Sequence, residues 1–210
     1  NWNENRKLNI QKNVLLQDLL SDFEVTKTRL VKSIKYTKNS VKTINTFLSV
    51  ATTNNKHISL DSLHQLSESL FYQTFFRPLL STYERALSTG QISLIKNKVF
   101  LAELPIFFQA YENFDIHDKL GGDLVFKGSV WELRKEIGSV NILFEHRKNN
   151  NFPAKFEMTE KEYRNFIAQK NVYAIYENQT WIFSNMLESL YVLNKTLTIL
   201  LSELNRSIEK

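Results

Sequence analysis

Residues 16–48, LQDLLSDFEVTKTRLVKSIKYTKNSVKTINTFL, decide the fold. Leu16, Phe23, Leu30, Thr37 and Ile44 recur every seven residues, and Leu20, Lys27, Ile34, Val41 and Leu48 form a second row four residues on. Apolar side chains at a mean spacing of 3.5 residues line one seam of a helix. From Asn1 to Leu48 there is no Pro or Gly, so nothing forces a break and the spacing predicts one helix over residues 1–50. At about 1.5 Å per residue this is a rod of roughly 70 Å, which needs partners along its length.

The far end of the chain repeats the pattern. Phe183, Leu190, Leu197 and Leu204 are seven apart, with Leu187, Leu201 and Ile208 as a partner row that Asn194 interrupts. Two heptad-bearing helices at the chain's ends are natural mutual partners, and packing them antiparallel returns Lys210 toward Asn1. The expected fold is therefore all-α, an elongated helical bundle with long antiparallel N- and C-terminal helices and shorter helices between. It forms a single domain over 1–210, with the N-terminal helix at 1–50, central helices at 58–148 and C-terminal helices at 159–208.

Between the long helices, local signals set the boundaries. Thr52 to His57 reads as a loop. Leu60, Leu63, Leu66, Leu70 and Phe71 keep helical spacing behind a cap at Ser59 or Asp61, and Arg77-Pro78 ends or kinks that helix. Ser81-Thr82-Tyr83-Glu84 has capping-box spacing before a short helix that turns Tyr83 and Leu87 inward and closes at Gly90. A helix from about Ser93 to Asn113 buries Leu94, Phe100, Leu101, Leu104, Phe107, Phe108 and Tyr111 and bends at Pro105. Residues 115–128, with Gly121, Gly122 and Gly128, read as a loop or hinge. Ser129 to Glu132 is a further capping box, starting a helix through Ile137 that resumes past Gly138 toward Phe144. Asn149 to Pro153 reads as a connector, and Thr159 to Glu162 as a helix start with Met158 and Tyr163 as a hydrophobic staple.

Composition narrows the chemistry. Zero Cys excludes a disulfide framework, thiol catalysis and thiolate metal sites, and five Gly with three Pro in 210 residues favour helix. No uninterrupted apolar run of eighteen residues occurs, so a membrane span is not expected within the sequence. The net charge of +5 is mild but unevenly placed. Lys27, Arg29, Lys32, Lys35, Lys38 and Lys42 crowd the first helix with no acidic residue among them, a basic outer face suited to an acidic protein or anionic headgroups. No nucleic-acid motif accompanies it, so nucleic acid is not expected as a partner.

Asn1-Trp2-Asn3-Glu4-Asn5-Arg6 resembles the segment that follows the membrane helix in a bacterial family of unknown function, found chiefly in Bacteroidetes. Thr82-Tyr83-Glu84, Ser88-Thr89-Gly90 and Leu94-Ile95-Lys96-Asn97 are similar to that family's central turn and the helix start after it. The resemblance implies a single membrane anchor just upstream of Asn1, with Trp2, Arg6 and Lys7 next to the membrane. It further implies an inner-membrane, single-pass protein whose helical domain faces the periplasm.

Catalytic and metal patterns are weak. Asp61, His64 and Glu68 share a helical face at ligand spacing, yet ordinary surface polarity gives the same row. His117 lies between Asp115 and Asp118 without an evident nucleophile, while His57 and His146 each adjoin a basic residue and read as surface residues. Tyr173, Tyr176, Trp181 and Tyr191 read as core of the last helix. No phosphate loop, nucleophile elbow or H-E-x-x-H occurs. The expectation is a non-enzymatic membrane-anchored interaction or scaffold domain without metal or cofactor, working on a protein partner or a second copy of itself. The alternative is an extracytoplasmic bundle that senses a small ligand.

Overall fold

The computed structural model of the chain describes residues 2–53, 57–68, 70, 75–137 and 158–209. Its regular elements are helices: α1 (Trp2–Thr53), α2 (Leu60–Glu68), α3 (Ser81–Ser88), a 3-10 turn at Gln91–Leu94, α4 (Lys98–Phe126), α5 (Ser129–Ile137), α6 (Glu160–Ile167) and α7 (Lys170–Ile208). No strand occurs among the described residues, and the protein is all-α. Residues Asn54 to Lys56 of the expected first loop, Phe71, the stretch from Gly138 to Phe144, the connector at Asn149 to Pro153, His146, Asn1 and Lys210 lie outside the described residues.

The chain forms two compact units. The first takes residues 1–35, 75–114 and 188–210, the second residues 36–74 and 115–187. In the first unit α1 and α7 run antiparallel. Lys27 Nζ donates to the Asn194 carbonyl at 3.2 Å, while the earlier Lys12 and Leu16 line a groove with the later Glu203 and Ser207. Phe23 of α1 stacks on Phe100 and Phe107 of α4, with centroids 6.3 and 6.1 Å apart, and Phe76 meets Phe114 edge-on at 5.7 Å. In the second unit Phe47 of α1 stacks on Tyr176 of α7 at 4.2 Å, and His64 of α2 sits edge-on to Tyr163 of α6 at 4.6 Å.

The first heptad row is buried throughout: Leu16, Phe23, Leu30, Thr37 and Ile44 on α1, Phe183, Leu190, Leu197 and Leu204 on α7. The partner rows need correcting. The deeper row lies three residues on, as Leu19, Thr26, Ser33, Ser40 and Phe47 on α1 and Met186, Leu193 and Leu200 on α7, all buried. The expected row four residues on is buried at Leu48 but only half-buried at Leu20, Lys27, Ile34 and Val41, and at Leu187, Asn194, Leu201 and Ile208. Hydrophobicity misled the reading because small hydroxyl residues occupy α1's inner row. Thr26 satisfies its hydroxyl on its own helix, Oγ1 donating to the Asp22 carbonyl at 2.8 Å, so its burial costs little.

Residues 75–80 carry no regular structure, as Pro78 requires, and Leu79 N donates to Thr26 Oγ1 at 2.9 Å. The capping box expected at Ser81 is not formed. Ser81 is the first helical residue of α3, Leu80 occupies the cap position, and no side chain of its own caps it. The acceptor is Asp22 of α1, whose Oδ2 takes the Thr82 N–H at 3.0 Å and the Ser81 hydroxyl at 3.2 Å. The buried face also differs from the expected one: Thr82 and Ala86 are buried, Tyr83 is half-buried and Leu87 is 57 % exposed. Gly90 follows in the left-handed region at φ 74°, as a closing Gly should.

α4 begins at Lys98 rather than Ser93, because Asn97 Oδ1 caps it by accepting from Val99 N and Phe100 N at 3.1 Å each. It continues through the exposed Pro105 and does not stop at Asn113. Residues 115–126, expected as loop or hinge, are helical. The stripe Phe107, Ala110, Phe114, Asp118, Gly121 and Val125 is buried at helical spacing, disguised in sequence by an Asp and a Gly at inner positions. Gly121 faces Ile182 of α7, where a Cβ would lie 3.5 Å from Ile182 Cγ2. Leu101, expected inside, is 40 % exposed.

The box at Thr159 forms as its spacing requires. Thr159 Oγ1 accepts from Glu162 N at 3.3 Å and Glu162 Oε2 accepts from Thr159 N at 2.8 Å, starting α6. Tyr163 is buried and Met158 half-buried, in the staple positions. Ser59 caps α2, its Oγ accepting from Ser62 N at 3.2 Å.

Candidate functional site

The basic stretch of α1 lies where the helix turns away from its buried rows. In the first unit Arg29, Lys32 and Lys35 are exposed. Arg29 reaches the Arg77 carbonyl at 3.3 Å. Lys27 is the exception: it is half-buried, donates to the Asn194 carbonyl at 3.2 Å and reaches the Thr198 hydroxyl. Burial lowers its pKa from the usual lysine value. Its ammonium helps join α1 to α7, which leaves it less available than its exposed neighbours.

In the second unit Lys38 and Lys42 are exposed and line an open groove with Val41, Asn45, Ser49 and Leu187. Between Glu24 and Asp61 the sequence holds no carboxylate, so α1 supplies none to neutralise these cations. The exposed Lys and Arg lose little side-chain freedom in a helix, while the many Thr, Ser, Val and Asn between them are weak helix formers, so the helix rests on the packing of its buried rows. The arrangement presents positive charge on a rigid element and offers no reactive group.

Trp2, Arg6 and Lys7 are exposed, as is each described residue up to Gln11. The Arg6 guanidinium stands 5.6 Å from the Trp2 ring centre, a cation–π contact at the start of α1. Among the described residues no helix is long and apolar enough to cross a membrane.

The structure describes the Asp61, His64 and Glu68 row in part. His64 is buried against the Tyr163 ring, Asp61 is exposed, and the Glu68 side chain lies outside the described residues. No group of three or more metal-ligating side chains gathers among the described residues. His117 packs edge-on to Trp181 at 5.6 Å. Trp181 is itself 56 % exposed and Tyr191 is also exposed, so of the four aromatics expected in α7's core Tyr176 is fully buried and Tyr173 half-buried.

A second feature escaped the sequence reading. Gln179 and Tyr176 are fully buried in the second unit, and Tyr176 lies beside the buried Ser67 of α2 and Tyr163 of α6. Burial, then the neighbouring Tyr163, pushes the Tyr176 phenol well above its usual pKa. Hydrogen bonding toward the Ser67 side chain works the other way, and the Ser67 hydroxyl itself donates to the His64 carbonyl at 2.8 Å. The signal was available: Tyr176 and Gln179 continue α7's two buried rows seven residues back from Phe183 and Met186.

Comparison with known proteins gave no matching family model, no matching curated protein and no matching solved structure.

Proposed function

We propose that the chain is a non-enzymatic helical interaction domain, held at a bacterial inner membrane by a span upstream of Asn1 and facing the periplasm, whose α1 offers its exposed basic residues to an acidic protein. The observation that carries the reading is the set of exposed cations Arg29, Lys32, Lys35, Lys38 and Lys42 on a helix that supplies no carboxylate after Glu24. Like charges along one helix repel each other, and an acidic partner relieves that cost. The exposed Trp2 and Arg6 suit a membrane interface, where amphipathic rings and basic side chains are at home.

Distance favours a protein over the anchoring bilayer. At about 1.5 Å per residue Arg29 stands roughly 40 Å along α1 from Trp2. Screening at physiological salt acts over about 8 Å, so a domain rising from its anchor holds these cations clear of the headgroups. The test is Lys32→Glu, Lys35→Glu and Lys42→Glu together in the membrane-anchored protein, with co-purification of partners and sedimentation with anionic vesicles as readouts. Loss of a co-purifying acidic protein supports the reading, vesicle binding that the reversal abolishes reassigns the face to headgroups, and no change in either removes it.

A further inference from the structure

The groove of the second unit that Lys38 and Lys42 line has a chemistry beyond the charge of the helix that carries it. Lys38, Lys42, Asn45 and Ser49 are all exposed and follow one another at helical spacing, so they share one side of α1 over about 16 Å. The charge stands at one end of this stripe. Val41 and Val50 of α1 and Leu187 of α7 supply the apolar lining. Val41 and Leu187 are half-buried, so each leaves apolar surface in water that a partner could cover with a gain in free energy.

These features select the occupant. The groove holds about 660 Å³ but is open, whereas a small molecule needs a pocket that covers most of its surface. An extended peptide gains affinity by adding a strand to a free sheet edge. Inside α1 the backbone donors and acceptors are already used by the helix, so only side chains can recognise a partner here. A helix laid in the groove meets that condition, with apolar residues against Val41 and Leu187 and carboxylates toward the lysines. Lys38 and Lys42 are one helical turn apart, which two carboxylates one turn apart on the incoming helix would match. Exposed charge pairs contribute little each, so apolar contact gives the affinity and the lysines choose the sign of the partner.

We infer that this groove is the docking site for an acidic amphipathic helix of a partner protein. The inference rests on the reading of α1 as a surface for an acidic protein, and it adds where that protein binds and in which conformation.

The test uses two stapled helical peptides of three turns, since a free helix so short is marginal in water. Both carry leucines on one face, flanked in one peptide by glutamates and in the other by lysines, and each is titrated into the folded protein by fluorescence anisotropy. The expected result is saturable binding of the acidic peptide, roughly tenfold tighter than the basic one, as when two attractive exposed pairs become repulsive. Asn45→Trp and Ser49→Trp, which fill the groove at exposed positions without changing its charge, should each weaken that binding, and Lys38→Glu with Lys42→Glu should invert the preference. Lys32→Glu with Lys35→Glu, in the first unit, should largely keep it. Binding of neither peptide, equal binding of both, or binding that survives both tryptophan variants overturns the groove. Binding of the acidic peptide that is lost on reversal at Lys32 and Lys35 but kept on reversal at Lys38 and Lys42 also overturns it, while leaving the acidic partner of α1 standing.

Discussion

Asp22 of α1 accepts the Thr82 N–H of α3 at 3.0 Å, so a carboxylate sixty residues away supplies the cap that α3's own sequence was expected to provide. The same oxygen takes the Ser81 hydroxyl, and the neighbouring Asp18 pairs with Arg85 at 3.0 Å. Short helices are marginal alone, and an anion at the N-terminus offsets the exposed N–H groups and the helix dipole. Asp22→Ala should therefore cost about 1 kcal/mol in denaturant unfolding, as loss of a cap does. Glu84→Ala, which removes the carboxylate of the box that does not form, should be close to neutral. Equal losses in the two variants would return the cap to the local sequence.

The row three residues on from the first heptad, rather than four, makes the deep contact. Leu193→Ala should cost about 2–5 kcal/mol, as truncations in packed interiors do. Leu187→Ala and Leu201→Ala, at half-buried positions, should cost clearly less. Chemical denaturation of the three variants ranks them, and a larger loss at Leu201 than at Leu193 would contradict the assignment.

Two glycines should respond in opposite directions. Gly121 sits inside α4, where a Cβ reaches ordinary contact with Ile182 at 3.5 Å, so Gly121→Ala should stabilise by up to about 1 kcal/mol through helix propensity. Gly90 holds φ at 74°, and Gly90→Ala should destabilise by about 1 kcal/mol, although nothing stands within 4 Å of its Cβ position. Thermal unfolding of both variants measures the pair.

The Thr159 box gives α6 a pH dependence. Hydrogen bonds from the Thr159 side chain and then its backbone hold the Glu162 carboxyl below its ordinary value of 4.5, with a small opposing effect of desolvation. A depressed carboxylate contributes stability that is present above its unfolded pKa and is lost as the pH falls through the folded one. Wild type should exceed Glu162→Gln in melting temperature at neutral pH, and the difference should shrink from about pH 4.5 downward. A gap that persists undiminished into acid would mean that the charge is not what the box uses.

What the sequence disclosed depended on whether apolar identity and inner position coincided. Where they did, at Leu16, Phe23, Leu30, Leu190 and Leu197, the seam and the helices carrying it were readable. Where inner positions hold small or polar residues they were not: Thr26, Ser33 and Ser40 disguised α1's second row, and Asp118 with Gly121 made a continuous helix look like a loop. The cap at Asp22 is a contact between distant residues, which no local motif encodes. Of the basic stretch, Arg29, Lys32, Lys35, Lys38 and Lys42 are exposed as charge alone suggests. The burial of Lys27 was hidden, because it depends on α7 supplying the Asn194 carbonyl.

The central claim is that α1's exposed cations meet an acidic protein. It is tested most directly by placing a photo-crosslinking residue at Lys35 of the protein, with a control at the exposed Gln17, and irradiating in the native cells. The account predicts a discrete protein adduct at position 35 that is absent at 17, weakens with added salt as exposed charge pairs do, and disappears when Lys32, Lys38 and Lys42 are reversed to Glu. Adducts of equal yield at both positions, or an adduct at 35 that survives the reversal, would contradict it.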